Sequence, residues 1–268
     1  MKKNNNPSTG SRGKRGSPKA AGLRKYAGGW LPDIPDGRDF LYQGIKPKRL
    51  RLPAKVDLRG YCSAVENQGR LGSCTANALA GNIEFLDNKT DLAYTNVSRL
   101  FIYYNERVLE KTVAADSGAM LRDGIKTLHK QGVCSESAWP YQIKNFAKKP
   151  SFNLYEEAQG HCIESYHRLT THSDRLTCLG EGFPFVFGFA VYESFESAET
   201  ARTGMASMPK KSERMLGGHA VLAVGFDQQD KRFIVRNSWG TSWGMNGYFT
   251  MPFEYLDQLA DDFWTIRK

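Results

Sequence analysis

The sequence contains no apolar run long enough to cross a bilayer, so no transmembrane helix is expected. It also lacks an apolar stretch behind Met1-Lys2-Lys3, where asparagines follow instead. No Sec-type signal is therefore expected, and the chain would be cytoplasmic or exported or packaged by another route. Cysteine is sparse, at five residues, and the paired Cys-x-x-Cys or His-x-x-x-His spacing of structural zinc is missing. The cluster His161, Cys162, His167, His172 and Cys178 thus does not read as a zinc site. Acidic side chains are missing from residues 1 to 28, which carry eight Lys/Arg; taking those from the total of 37 leaves 29 basic against 28 acidic residues. The formal charge of +9 therefore belongs to the tail, and the remainder is nearly neutral, which argues against a general nucleic-acid-coating role for the folded part. Residues 1 to 28, rich in Asn, Gly, Ser, Pro and Lys, are expected to form a basic disordered tail. Such a tail could hold a weak anionic partner, such as nucleic acid, an anionic membrane or a packaged particle, although a solvated tail is the simpler reading.

What is present is a set of three chemistry-bearing segments, Gln68-Gly69-Arg70-Leu71-Gly72-Ser73-Cys74, Gly218-His219-Ala220 and Asn237-Ser238-Trp239-Gly240-Thr241-Ser242-Trp243-Gly244. Leu79, Ile83 and Leu86 recur at i, i+4 and i+7 and predict a helix with one buried face, placing Cys74 in its first turn. Helix-terminal N–H groups and a neighbouring imidazolium lower a thiol pKa, so an activated Cys74 is expected. Taken alone, a cysteine reads as a small buried hydrophobe; its company reverses that preference. His219 opens the apolar run Ala220 to Gly225, a predicted buried strand that would hold the imidazole on a rigid element. Asn237 follows the strand-like Phe233-Ile234-Val235, and its side-chain oxygen would orient the histidine ring.

Together these segments resemble the papain (C1) family of cysteine peptidases, over roughly Leu52 to Lys268. The separations of 145 residues from Cys74 to His219 and 163 to Asn237 are close to the about 130 to 150 of that family. The resemblance implies Cys74 as nucleophile, His219 as base, Asn237 as its orienter, and Gln68 with the Cys74 N–H as the oxyanion hole. It further implies that Trp239 and Trp243 shield the His219–Asn237 bond. Leu71 and Thr75 depart from the usual Cys-Gly-Ser-Cys-Trp signature, and Gly-Ser-Cys-Thr-Ala matches a divergent microbial and viral branch. Asp116-Ser117-Gly118-Ala119-Met120 resembles the wall of the subsite for the second residue before the scissile bond, which makes Gly118, Met120 and Gly218 candidate substrate contacts. An equally good reading of that run is a helix start, with Leu121, Ile125 and Leu128 on a buried face and a stop at Gly132. Asp261 or Asp262 could reach the base of the same subsite and favour a basic residue, but an exposed aspartate pair ending a helix is the preferred reading.

Helices over residues 74 to 131, including one from Ser98 to Glu110, followed by strands from Tyr166 onward, predict an α+β fold. Its expected form is papain-like, with a helical lobe (about 62–160) carrying the nucleophile, an antiparallel β-sheet or barrel lobe (about 165–268) carrying His219 and Asn237, and a cleft between. Ala198 to Leu216 is expected to be a polar loop near the cleft. Residues 29 to 51 read as an extended, prosegment-like arm whose Trp30, Phe40 and Tyr42 give it something to bury, and it is expected to cross the cleft. Cys62, Cys134, Cys162 and Cys178 could pair in three ways or remain thiols, and thiols are expected. The expected activity is hydrolysis of polypeptide substrates by a monomer with no metal or organic cofactor, synthesised as a zymogen. The rivals are a silenced papain-fold binding or assembly module and an acyl transferase using the same Cys/His chemistry.

Overall fold

The computed structural model describes residues 28–48, 50–90 and 95–268. All but the last residue of the expected basic tail lies outside them. After the arm, the chain runs through β1 (Lys55–Asp57), α1 (Cys74–Lys89), α2 (Arg99–Glu110), α3 (Leu121–Gln131) and α4 (Phe152–Ala158). There follow β2 (Ser165–Arg168), α5 (His172–Gly180), β3 (Phe185–Tyr192), α6 (Ala198–Thr203), β4 (Met215–Asp227), β5 (Arg232–Arg236), β6 (Tyr248–Pro252), α7 (Phe253–Leu259) and β7 (Ala260–Arg267). The first half is helical and the second supplies six strands, as the α+β expectation requires.

Two helices have the boundary signals that their sequences carry. Ser98 caps α2 by accepting the Phe101 N–H at 3.1 Å, and Gly132, at φ +73°, ends α3. The helix of the nucleophile segment differs in one respect from its reading as one-faced: residues 74 to 87 of α1 are all buried. Small residues at Ala76, Ala78, Ala80 and Gly81 let neighbours close around it, and a helix enclosed on every side is a core element rather than a surface one. The β half is also less purely strand than expected. Thr171 and Asp174 form a reciprocal capping box that starts α5, and Ser197 accepts the Thr200 N–H to start α6 inside the expected loop. That loop ends at Met215, where β4 begins.

The strands pair in the order β2-β7-β3-β4-β5-β6, all antiparallel, in a sheet that stays open instead of closing into a barrel. β1 takes over the edge of β4 beyond Ala223, where β3 ends. Side chains alternate across β4: Ala220, Leu222 and Val224 join the core around α1, whereas Val221, Ala223 and Phe226 join a second core with Phe187, Phe189 and Trp239. β4 thereby lies between two hydrophobic cores, and His219 sits at the point where it passes the start of α1. Among the described residues no helix is long and apolar enough to cross a membrane.

The arm runs over the body with little regular structure of its own. Tyr42 is fully buried and Trp30 is 9% exposed, so two of its three expected anchors are seated. Phe40 is not; it stays 62% exposed, edge-on to Tyr166 at 5.9 Å, because the main chain beside it is the part used, its carbonyl accepting the Arg168 N–H at 2.7 Å.

Candidate active site

The loop before α1 is fastened to the loop after β5. Gln68 N donates to Ser238 O at 2.9 Å, Gly240 N donates to Glu66 O at 3.0 Å, and Asn67 pairs with Trp239 as an isolated antiparallel bridge. These bonds bring the Gln68 amide into the interior, where Ser238 Oγ donates to its Oε1 at 2.6 Å and its Nε2 donates to Leu71 O at 2.9 Å. Asp116 steadies the next residues: both its oxygens accept the Gly72 N–H, at 3.0 and 3.1 Å, and Tyr103 donates to it at 2.5 Å. The Cys74 N–H and the Gln68 amide are thus both held in fixed positions at the entrance to α1.

His219 stands on β4 opposite Phe189 of β3. Its Nε2 is 2.8 Å from Asn237 Oδ1, an oxygen that also accepts the Ser238 N–H at 2.8 Å. This second donor identifies the Asn237 atom as oxygen, so Nε2 of His219 carries the hydrogen and Nδ1 presents a lone pair. Among the described residues Nδ1 has no hydrogen-bond partner. Trp239 stacks on the imidazole with ring centroids 4.7 Å apart and an interplanar angle of 27°, and Trp243 meets Trp239 edge-on at 5.2 Å. The N–H of Ala220, the residue after His219, faces the Cys74 sulfur. All four residues singled out from the sequence therefore converge, with Gln68, Cys74 and His219 fully buried and Asn237 3% exposed.

The electrostatics depart from expectation. Burial pushes the Cys74 thiol up to about 12, outweighing the Ala220, Thr75 and Cys74 N–H groups, while Glu106 adds to the rise. Burial likewise pushes His219 down to about 4, against the opposing hydrogen bond from Asn237. Both shifts favour the uncharged forms, thiol and imidazole, the opposite direction to that of the helix terminus. The physical reason is that both groups are shut off from water.

The arm lies against residues that flank the pair. Gly29 N donates to Gly218 O at 3.1 Å, Ala119 N donates to Gly29 O at 2.8 Å and Leu31 N donates to Ala119 O at 3.0 Å. The approach is too close for side chains: a Cβ on Gly29 would lie 1.9 Å from Gly72 O, and one on Gly118, at φ +76°, 2.1 Å from Gly29 O. The Trp30 indole enters a slot in which a Cβ on Gly188 would lie 1.9 Å from the ring, and one on Gly218 2.6 Å from the Trp30 carbonyl. At its end the indole N–H donates to Asp262 Oδ2 at 3.1 Å, and Asp33 N donates to the same oxygen at 2.8 Å. Gly118 and Gly218 therefore line the occupied cleft, as does Ala119, which sequence reasoning passed over. Met120, just before α3, donates its N–H to Glu110 at 2.7 Å and, among the described residues, makes no hydrogen bond to the arm. Beside the arm a cavity of about 300 Å³ remains, lined by Arg70, Gly72, Asp116 and Ser117.

The preferred reading of Asp261 and Asp262 is corrected. Asp261 is largely exposed, but Asp262 is fully buried. The pairing of β3 with β7 shifts register between Val186 and Gly188, and Asp262 takes φ +56°, which turns its carboxylate inward. Among the described residues no group of three His, Cys, Asp or Glu side chains is arranged to hold a metal, and all five cysteines are free. A larger groove of about 720 Å³, lined by Val108, Leu109, Lys126, His129 and Tyr166 among others, shares no lining residue with the cleft.

Residues 52–257 match the sequence model of the family described as Papain family cysteine protease. The chain is 45% identical over 268 residues to an uncharacterised peptidase C1-like protein of Acanthamoeba polyphaga mimivirus, covering 90% of this chain and 86% of that one. It is 26% identical over 244 residues to a cathepsin L-like proteinase of Fasciola hepatica, covering 85% and 70% respectively. Its structure is similar to the crystal structure of xylellain, a cysteine protease from Xylella fastidiosa, with a TM-score of 0.85 and 44% identity over 92% of this chain and 98% of that one.

Proposed function

This chain belongs to the papain family of cysteine proteases, and on that premise we propose that it cleaves polypeptides through Cys74, with residues 29–51 as a lock on the cleft. The observation that carries the catalytic reading is the His219 ring, held through Nε2 by Asn237 with Nδ1 unengaged, while the N–H of the next residue, Ala220, faces the Cys74 sulfur. Nδ1 takes the thiol proton, and the sulfur attacks the substrate carbonyl carbon. The oxygen of the tetrahedral adduct, now negative, lies against the Gln68 amide and the Cys74 N–H. As the C–N bond breaks, His219 returns the proton to the departing amine and leaves a thioester. Water, losing a proton to His219, then attacks that thioester; the acid is released and the thiol restored.

The arm supports the lock because it occupies the groove with backbone hydrogen bonds on both sides of Gly29 and an aromatic side chain in the adjoining slot. In this reading the neutral Cys74/His219 pair belongs to the closed state, and admitting water to the cleft restores ionisation. The test is labelling with a thiol-directed peptidyl epoxide, followed by peptide mapping, on full-length protein and on protein beginning at Leu52. Labelling confined to Cys74, and faster in the shorter protein, is expected. No labelling of either overturns the nucleophile, and equal rates overturn the lock.

A further inference from the structure

The junction between arm and body holds more carboxylates than cations. Asp33 and Asp39 come from the arm and Asp261 and Asp262 from β7, facing Arg168 of β2 and Arg122 of α3. Arg168 is divided among all four, at 3.9 Å from Asp33, 3.2 Å from Asp39, 3.1 Å from Asp261 and 2.8 Å from Asp262. Arg122 lies 2.6 Å from Asp39, and its backbone N–H donates to Asp33 Oδ1 at 3.1 Å. From α2, Glu110 faces the same region, pushed up to about 7 by burial first, with Asp33 among the charges that add to the rise. The side chains of Asp33 and Asp262 have no solvent exposure. Both oxygens of each are engaged: Asp33 by Arg122 and the Trp264 indole, Asp262 by Trp30, the Asp33 N–H and Arg168. Two buried carboxylates that share one cation, itself divided with Asp39 and Asp261, bind a proton more tightly than either does in water.

We propose that the arm seats with uptake of a proton by the Asp33/Asp262 pair, making the junction a latch that closes protonated and loosens when that proton leaves. This deepens the reading of the arm as a lock, and its consequence for activity rests on that reading; the docking itself does not. On the released arm Asp33 is an ordinary exposed carboxyl, whereas seating raises it, through burial first and against the bonds from Arg122 and Trp264. Asp262 is raised to about 6, by burial first and then by Asp33. Groups raised in the seated state favour seating below the ordinary carboxyl range and withdraw that support as pH climbs through the raised value. The arm is therefore held more firmly at mildly acidic than at neutral pH, the change falling between about pH 4 and about pH 6.

The experiment is amide hydrogen exchange on full-length protein carrying Cys74→Ala, which removes self-cleavage, read at Gly29, Leu31 and Ala119 against amides inside α1. Protection at the three junction amides is expected to fall by up to about tenfold per pH unit for each proton lost, then level off, while α1 stays constant. Asp261→Asn keeps an acceptor for the Asp262 N–H and removes one excess charge, so the fall should shrink; Arg168→Gln removes the shared cation and should enlarge it. Protection that is flat or rises with pH overturns the proposal, as do two variants moving in the same direction. The α1 amides report whether each variant is folded, and the wild-type arm sequence alone decides the pH course. Because peptidase activity is never read, a failure here leaves the role of Cys74 standing, and failure of Cys74 labelling leaves the latch standing.

Discussion

Replacing Trp30 by alanine tests the lock at its centre. The indole is 9% exposed and donates to the buried Asp262 carboxylate at 3.1 Å, and both interactions exist only while the arm is seated. Removing a buried tryptophan typically costs about 3 to 5 kcal/mol, which at about 1.4 kcal/mol per factor of ten lowers the seating constant about 100- to 4,000-fold. The assay is the second-order rate of Cys74 labelling by a peptidyl epoxide at fixed pH, in full-length protein, in Trp30→Ala and in protein beginning at Leu52. Full-length protein should be slowest, and Trp30→Ala should approach the truncated form, whose rate sets the ceiling. Gly29→Ala provides a companion that alters no residue of the body: its new Cβ would lie 1.9 Å from the Gly72 carbonyl oxygen, a backbone atom that cannot swing away. If neither substitution accelerates labelling, the seated arm does not limit access and the reasoning fails.

Two further outcomes follow from the catalytic geometry, both measured on the truncated protein. Gln68→Ala should lower kcat by about 100- to 1,000-fold with a much smaller change in KM, because the amide acts on charge that develops only in the transition state; a purely KM effect would refute that role. Asn237→Ala removes the acceptor held 2.8 Å from His219 Nε2, and should lower kcat/KM by about 5- to 150-fold, the range of about 1 to 3 kcal/mol for a buried group left unpartnered. An unchanged steady-state profile would show that Trp239 stacking alone orients the ring.

Much of the site was legible because the residues that form it are punctuated locally. Leu79, Ile83 and Leu86 mark the helix behind Cys74, Gly132 marks the end of α3, and Asn237 follows a short valine-containing strand. What escaped depends on register and on distant partners. Asp262 faces inward because the β3–β7 pairing slips by one step, and a slip exchanges the faces of a strand without leaving a trace in the apolar pattern. The direction of the Cys74 shift escaped for a similar reason: the thiol's neighbours in sequence argue for a thiolate, while its complete burial and the nearby Glu106 arise only in the fold. The helices α5 and α6 were within reach, since Thr171-x-x-Asp174 and Ser197 are helix-start signals, but a strand-dominated reading of the second half passed over them. Gly188, a glycine inside an apolar strand, was likewise a signal of close approach whose visitor only the fold identifies.

Tyr42 is fully buried twelve residues beyond Trp30, and its hydroxyl is bonded to Glu181, so the arm is moored at a point separate from the cleft. If the arm is the proposed lock, opening at Trp30 leaves the plug on a short leash, at an effective local concentration of order millimolar, and reclosure does not depend on how much protein is present. On the same proposal, a single cut between Leu31 and Leu41 would change the kinetic order of that event: the plug would become a separate peptide, and dilution alone would keep the cleft open.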